Sequence, residues 1–123
     1  MKFSEIDRAS GHLIEGYGPD GILIAGRRYR EGLALTAGHI IAPWGPACPA
    51  DLAPEHLATL LDLTPQVILL GTGARQVFPA SAIYAALRER RLGLEVMDTG
   101  AACRTYNILL AEGRRVVAGL LPC

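Results

Sequence analysis

No stretch of this sequence comes near the roughly 18 consecutive apolar residues that a membrane-crossing helix needs. The nearest approach, Val116 to Leu121, has the length of a strand. The opening residues, MKFSEIDRAS, show no basic stretch running into an apolar segment of about 7–15 residues, so no secretory leader is expected. Charge of one sign is also missing. Twelve Lys and Arg cancel twelve Asp and Glu, which leaves no net-charge footprint for nucleic acid or for an anionic membrane. Cysteine is sparse and odd in number: Cys48, Cys103 and Cys123 are far apart and form no C-x-x-C, against both a disulfide framework and a zinc site. His12, His39 and His56 have no paired spacing, so no metal and no cofactor is expected. The expected compartment is the reducing cytoplasm. Nearly all of the basic residues are Arg, and Ala is abundant, the codon signature of a GC-rich bacterial genome.

What is present is enough for a core. The chain has 123 residues, half of them hydrophobic and 20% charged, which excludes a disordered chain and fits one domain. Residues 1–10 read as a loosely held arm and 11–123 as a single domain. Leu13 to Tyr17 favours a strand. Gly18-Pro19-Asp20-Gly21 is a turn, because proline presets φ and glycine tolerates positive φ. Ile22 to Ala25 and Leu33 to Thr36 follow as short strands, close enough for antiparallel hairpins. Residues 43–50 hold three prolines around the single tryptophan, Trp44, and read as an irregular surface loop. Pro54 opens a helix with Leu57, Leu60 and Leu61 on one face, and Thr64-Pro65 ends it. Val67 to Leu70 is a continuous apolar run, the pattern of a strand covered on both faces. A second helix spans roughly 80–91, with Ile83, Ala86 and Leu87 inward. Leu94 to Met97 is a strand, a third helix spans roughly 100–112, and Arg115 to Leu121 forms a last strand. The strands at 67–70 and 94–97 flank a helix and should be parallel. The fold class is α/β (α+β): a mixed sheet, N-terminal antiparallel hairpins and a C-terminal βαβαβ part.

Chemistry concentrates where two strand ends meet. Gly71-Thr72-Gly73 and Asp98-Thr99 both follow parallel strands, at the carboxyl ends where open α/β sheets place ligands. The third helix offers free N–H groups there, and Arg104 lies one turn inside it, able to reach back or to pair with Asp98. The plainer readings are a tight turn for the glycines and a helix cap for Asp98 and Thr99. The full Rossmann and P-loop spacings are absent. Cys103 reads as a small buried packing thiol, with no histidine selected as its base. Asn107 is a mediocre mid-helix residue, so it should hydrogen-bond something specific, a neighbouring loop or a ligand. Trp44 either anchors a partner, as tryptophan does at interfaces, or caps the domain's own core.

The run from Val96 to Val116, VMDTGAACRTYNILLAEGRRV, together with ILLGTG at 68–73, the Tyr17–Gly21 turn and the Trp44 loop, resembles the small MTH-type domain family of unknown function. The likeness covers roughly residues 10–122 and matches the family's recurrent positions at Gly71, Gly73, Asp98, Thr99, Arg104, Thr105, Tyr106, Asn107, Glu112 and Arg114. It implies a compact three-layer β/β/α domain and no established catalysis. Its relatives include an adipogenesis-associated MTH domain protein and a mitochondrial complex I assembly factor, which implies a protein-interaction role. With no transit peptide read in this sequence, the mitochondrial setting is not expected to transfer.

Three expectations follow. The first is a non-enzymatic, assembly-type factor that binds a protein partner, with Trp44 as the candidate contact. The second is a small-molecule or anion-binding domain using Gly71, Thr72, Gly73, Asp98, Thr99, Arg104 and Asn107. The third is a homo-oligomer joined through an exposed hairpin edge.

Overall fold

The computed structural model describes residues 12–122. The expected arm at residues 1–10 lies outside the described residues, as does Cys123. Turn chemistry sets the first third of the chain. Strands β1 (Ile14–Gly18), β2 (Gly21–Ile24) and β3 (Arg27–Tyr29) form an antiparallel sheet in that order. Pro19 and Asp20 join β1 to β2. Ala25 and Gly26, with φ of 51° and 78°, join β2 to β3 as a two-residue turn whose twist suits a hairpin. A bulge between Ile14 and Gly16 sets Glu15 apart, and its Oε1 accepts a hydrogen bond from Gly26 N–H at 2.9 Å.

The second sheet carries strands β4 (Leu33–Thr36), β5 (His39–Ile41), β6 (Val67–Thr72), β7 (Leu94–Met97) and β8 (Val116–Leu121), in the order β5-β4-β8-β6-β7. β6 runs parallel to both β7 and β8, while β4 is antiparallel to β5 and β8. Helices α1 (Pro54–Leu61), α2 (Ser81–Glu89) and α3 (Thr99–Ala111) complete the fold, with one 3-10 turn at Pro49–Asp51. β3 and β5 were not foreseen: each has three residues, too few for a period-two pattern to show.

Strand alternation divides the core between the two faces of the five-stranded sheet. Leu33, Leu35, Leu69, Val116, Ala118 and Leu120 point to one side, against Ile14, Ile22 and Ile24 of the small sheet and Ala102, Cys103, Tyr106 and Leu110 of α3. Ala34, Ile68, Leu70, Val117 and Leu121 point to the other, against α1 and α2 through Leu57, Leu60, Ile83 and Leu87. The order of layers is therefore the small sheet with α3 beside it, the mixed sheet, and then α1 with α2. β6 and β8 are covered on both sides, which is why they read as unbroken apolar runs. Ala86, expected inward, is exposed. Among the described residues no helix is long and apolar enough to cross a membrane.

Two side chains tie the layers. Trp44 is buried, its Nε1–H donating to the His56 carbonyl at 3.0 Å and its ring lying on Gly119 of β8. Asn107 answers the puzzle of its mid-helix place. Its Oδ1 accepts from Ile14 N–H at 2.9 Å, and its Nδ2–H donates to Ile14 C=O at 2.8 Å. The amide thus stands in for a neighbouring strand along the open edge of β1. Asn107→Leu leaves both partners on Ile14 unmet and should cost about 1–3 kcal/mol. Urea melts check the cost, and hydrogen exchange at the Ile14 amide should accelerate while the β6 amides stay protected.

Candidate functional site

The parallel register pairs Leu70 with Val96 and Gly71 with Met97, so the loops after β6 and β7 leave the sheet side by side. There, Gly71, Thr72, Gly73, Asp98 and Thr99 come together. Helix α3 begins hard against the strand end. A Cβ on Gly71 would lie 3.0 Å from both Cα and Oγ1 of Thr99 and 3.1 Å from Leu120 Cδ2. Gly73 holds a φ of +96°, where side chains are strained. Asp98 caps α3, its Oδ1 accepting from Ala101 N–H at 2.8 Å.

The polar atoms of this mouth bond to one another. Thr99 is fully buried. Its hydroxyl accepts from Gly73 N–H at 2.8 Å and donates to Leu121 C=O at 2.6 Å, while its N–H donates to Gly73 C=O at 2.9 Å. The ends of β6 and β8 and the start of α3 are locked through one residue. The Thr72 hydroxyl accepts from Val77 N–H at 3.0 Å and donates to Arg75 C=O, with Met97 C=O also near at 3.2 Å. Gln76 Nε2–H donates to Val96 C=O at 2.9 Å, so the loop after β6 is pinned across β7.

Arg104 and Asn107 both bond outside that mouth, to β1, although Arg104 still feels the charge of Asp98. Asn107 spends its amide on β1. Arg104 is exposed on the outer side of α3, and its Nη1–H donates to the Tyr17 hydroxyl, with the guanidinium carbon 5.7 Å from the Tyr17 ring centroid. That hydrogen bond, and then the charge interaction with Tyr17, raises the already high pKa of Arg104, so the group is a permanent cation. Tyr17 also lies over the first turn of α3, where a Cβ on Gly100 would sit 2.9 Å from its Cε1. No sequence signal joined Tyr17 to Arg104, which are 87 residues apart. Ile108, one turn beyond Arg104, is 59% exposed and Tyr17 is 41% exposed. These two, with Phe78 on the pinned loop, went unnoticed because an exposed apolar residue is recognised only in three dimensions.

Cys103 is buried on the core side of α3. Tyr106 donates its hydroxyl to the His12 carbonyl at 2.7 Å, and burial pushes its pKa well up, so it stays a neutral donor. Among the described residues no group of three or more His, Cys, Asp or Glu is placed to hold a metal ion.

Residues 14–121 match a family described as a protein of unknown function (DUF498/DUF598). The human NADH dehydrogenase (ubiquinone) 1 alpha subcomplex assembly factor 3 is 31% identical over 118 residues, covering 94% of this chain. The chain spans 64% of that relative's length, less than two thirds. A crystal structure of a Bordetella parapertussis protein superposes with a TM-score of 0.85 at 39% identity, covering 91% of this chain and 96% of that one. A solution structure from Bordetella pertussis, described as a Mth938-like domain, superposes with a TM-score of 0.77 at 33% identity, covering 92% of this chain and 87% of that one.

Proposed function

The chain belongs to the DUF498/DUF598 family, and on that premise we propose that it is a non-enzymatic domain that binds a protein partner in the manner of an assembly factor. The observation that carries this is the outer face of α3. Arg104 is the single charged residue in that helix, and Ile108 is exposed beside it. Solvent-facing helix surfaces are normally polar. Here the face presents an apolar side chain and a Tyr17–Arg104 pair, residue types that dominate interface energetics. A partner carboxylate meets Arg104 and an apolar side chain covers Ile108. Trp44 serves this reading as core, holding the mixed sheet rigid. A cytoplasmic setting belongs to the same proposal, and cell fractionation tests it.

A photo-crosslinking residue placed at Ile108 should capture the partner in cells, to be identified by mass spectrometry and purified. Arg104→Glu should then weaken its binding at least tenfold, about 1.4 kcal/mol, with the melting temperature unchanged. No specific adduct, or an identified partner indifferent to Arg104→Glu, sinks the reading. Adducts between copies of the chain point to a homo-oligomer instead. The alternative, an anion or small-molecule site, is supported by the shared mouth of β6 and β7 beside the α3 N-terminus. If inorganic phosphate raises the melting temperature of wild type and not of Arg104→Ala, that alternative replaces the first.

A further inference from the structure

Helices α1 and α2 lie over the same face of the mixed sheet, opposite α3, and they do not close on each other. Between them runs a groove of about 340 Å³. It exists because the positions that face across it are small: Ala58 on α1 and Ala86 on α2. Leu57 and Leu61 supply an apolar floor, and Asp62, Glu89 and Arg90 supply the rim. The two acidic residues stand where α1 and α2 end, and helix C-termini carry partial negative charge from their unpaired carbonyls. Among the described residues neither Asp62 nor Glu89 is held in an ion pair. At that end two carboxylates stand against one guanidinium and leave one net negative charge, while Pro54 brings the positive start of α1 to the opposite end of the groove. The volume is at the lower end for a ligand pocket and suits one long side chain.

We propose that this groove receives a lysine or arginine side chain from a bound protein segment. The alkyl stem lies along Leu57, Leu61, Ala58 and Ala86, and the cationic head sits between Asp62 and Glu89, the way amphipathic cations bury their stems and keep their heads wet. The inference goes beyond the α3 surface and is independent of it, since the two lie on opposite faces of the sheet. Failure of one leaves the other standing.

The test is a titration of the isotope-labelled protein, followed by amide NMR, with N-acetyl-lysine amide as probe. N-acetyl-norleucine amide shares the stem without the charge, and N-acetyl-glutamate amide reverses the charge. The lysine probe should produce saturable shifts at Ala58, Leu61 and Ala86, at least fivefold tighter than either control. Asp62→Asn with Glu89→Gln should abolish that preference, and Ala86→Phe, which fills the slot from an exposed position, should abolish binding without lowering the melting temperature. Equal binding of norleucine would reduce the groove to an apolar contact and overturn the charge assignment. Tighter binding of glutamate would transfer the site to Arg90 and overturn it as well. An absence of saturable shifts at the three amides overturns the site itself.

Discussion

Gly119→Ala should destabilise the protein by about 2–3 kcal/mol, and by almost nothing once Trp44 has been replaced by alanine. In the centre of β8, a Cβ on Gly119 would overlap Cη2 of the Trp44 ring, with Cζ3 at 2.8 Å and Cζ2 at 3.1 Å. The ring cannot simply slide away. Its Nε1–H is fixed to His56, its own N–H donates to Gly32 C=O at 2.7 Å, and Gly32 in turn has no room for a Cβ because the Trp44 carbonyl lies against it. Trp44→Ala alone should cost about 3–5 kcal/mol through the cavity it leaves. In the double variant the new methyl enters that space, so the two costs should fall short of their sum by about 2 kcal/mol, well above the error of a double-mutant cycle. Urea unfolding of the four proteins, followed by circular dichroism, measures this. Simple additivity would mean that the ring and the glycine do not share the space described.

Thr99→Val should lower stability by about 3 kcal/mol, although it changes neither side-chain size nor shape. Valine keeps the packing against Gly71 and removes the hydroxyl, so Gly73 N–H and Leu121 C=O are left buried without their partner, at about 1–3 kcal/mol each. Thr99→Ser keeps both bonds and should cost less than half as much. A valine variant as stable as wild type would show that water or a loop shift replaces the hydroxyl, and the locked mouth would be wrong.

Much of this architecture was readable from residue order. Val67 to Leu70 announced a covered strand by its unbroken apolar character, and the parallel pairing with Leu94 to Met97 followed from the helix between them. Leu33 to Thr36 and Leu94 to Met97 kept their bounds, while β6 ran two residues further, because Gly71 and Thr72 continue the pairing to β8 as far as Leu121. The strand Arg27–Tyr29 was hidden by its charge, since an edge strand has little apolar surface to reveal. At the mouth, the cap at Asp98 was legible from local chemistry, whereas Gly71, read as part of a tight turn, continues β6 and is kept bare by the start of α3. That Asn107 would reach Ile14, or Arg104 would lie beside Tyr17, depends on how α3 is set against the small sheet, and no local pattern encodes that docking. Ala86 misled because its helical spacing places it inward, whereas the gap between α1 and α2 leaves it open.

Strand β8 has one further consequence. It lies in the middle of the five-stranded order, between β4 and β6, although residues 116–121 are the latest strand in chain order among the described residues. During translation, β4 waits with its inner edge bare for some eighty residues before Leu120 can pair with Leu33. So distant a pairing is slow to find, because the intervening loop must close first. A ribosome stalled before Val116 should therefore hold a chain with its hairpins formed and its central sheet unzipped, a species that proteases and chaperones would recognise and that the finished protein never exposes.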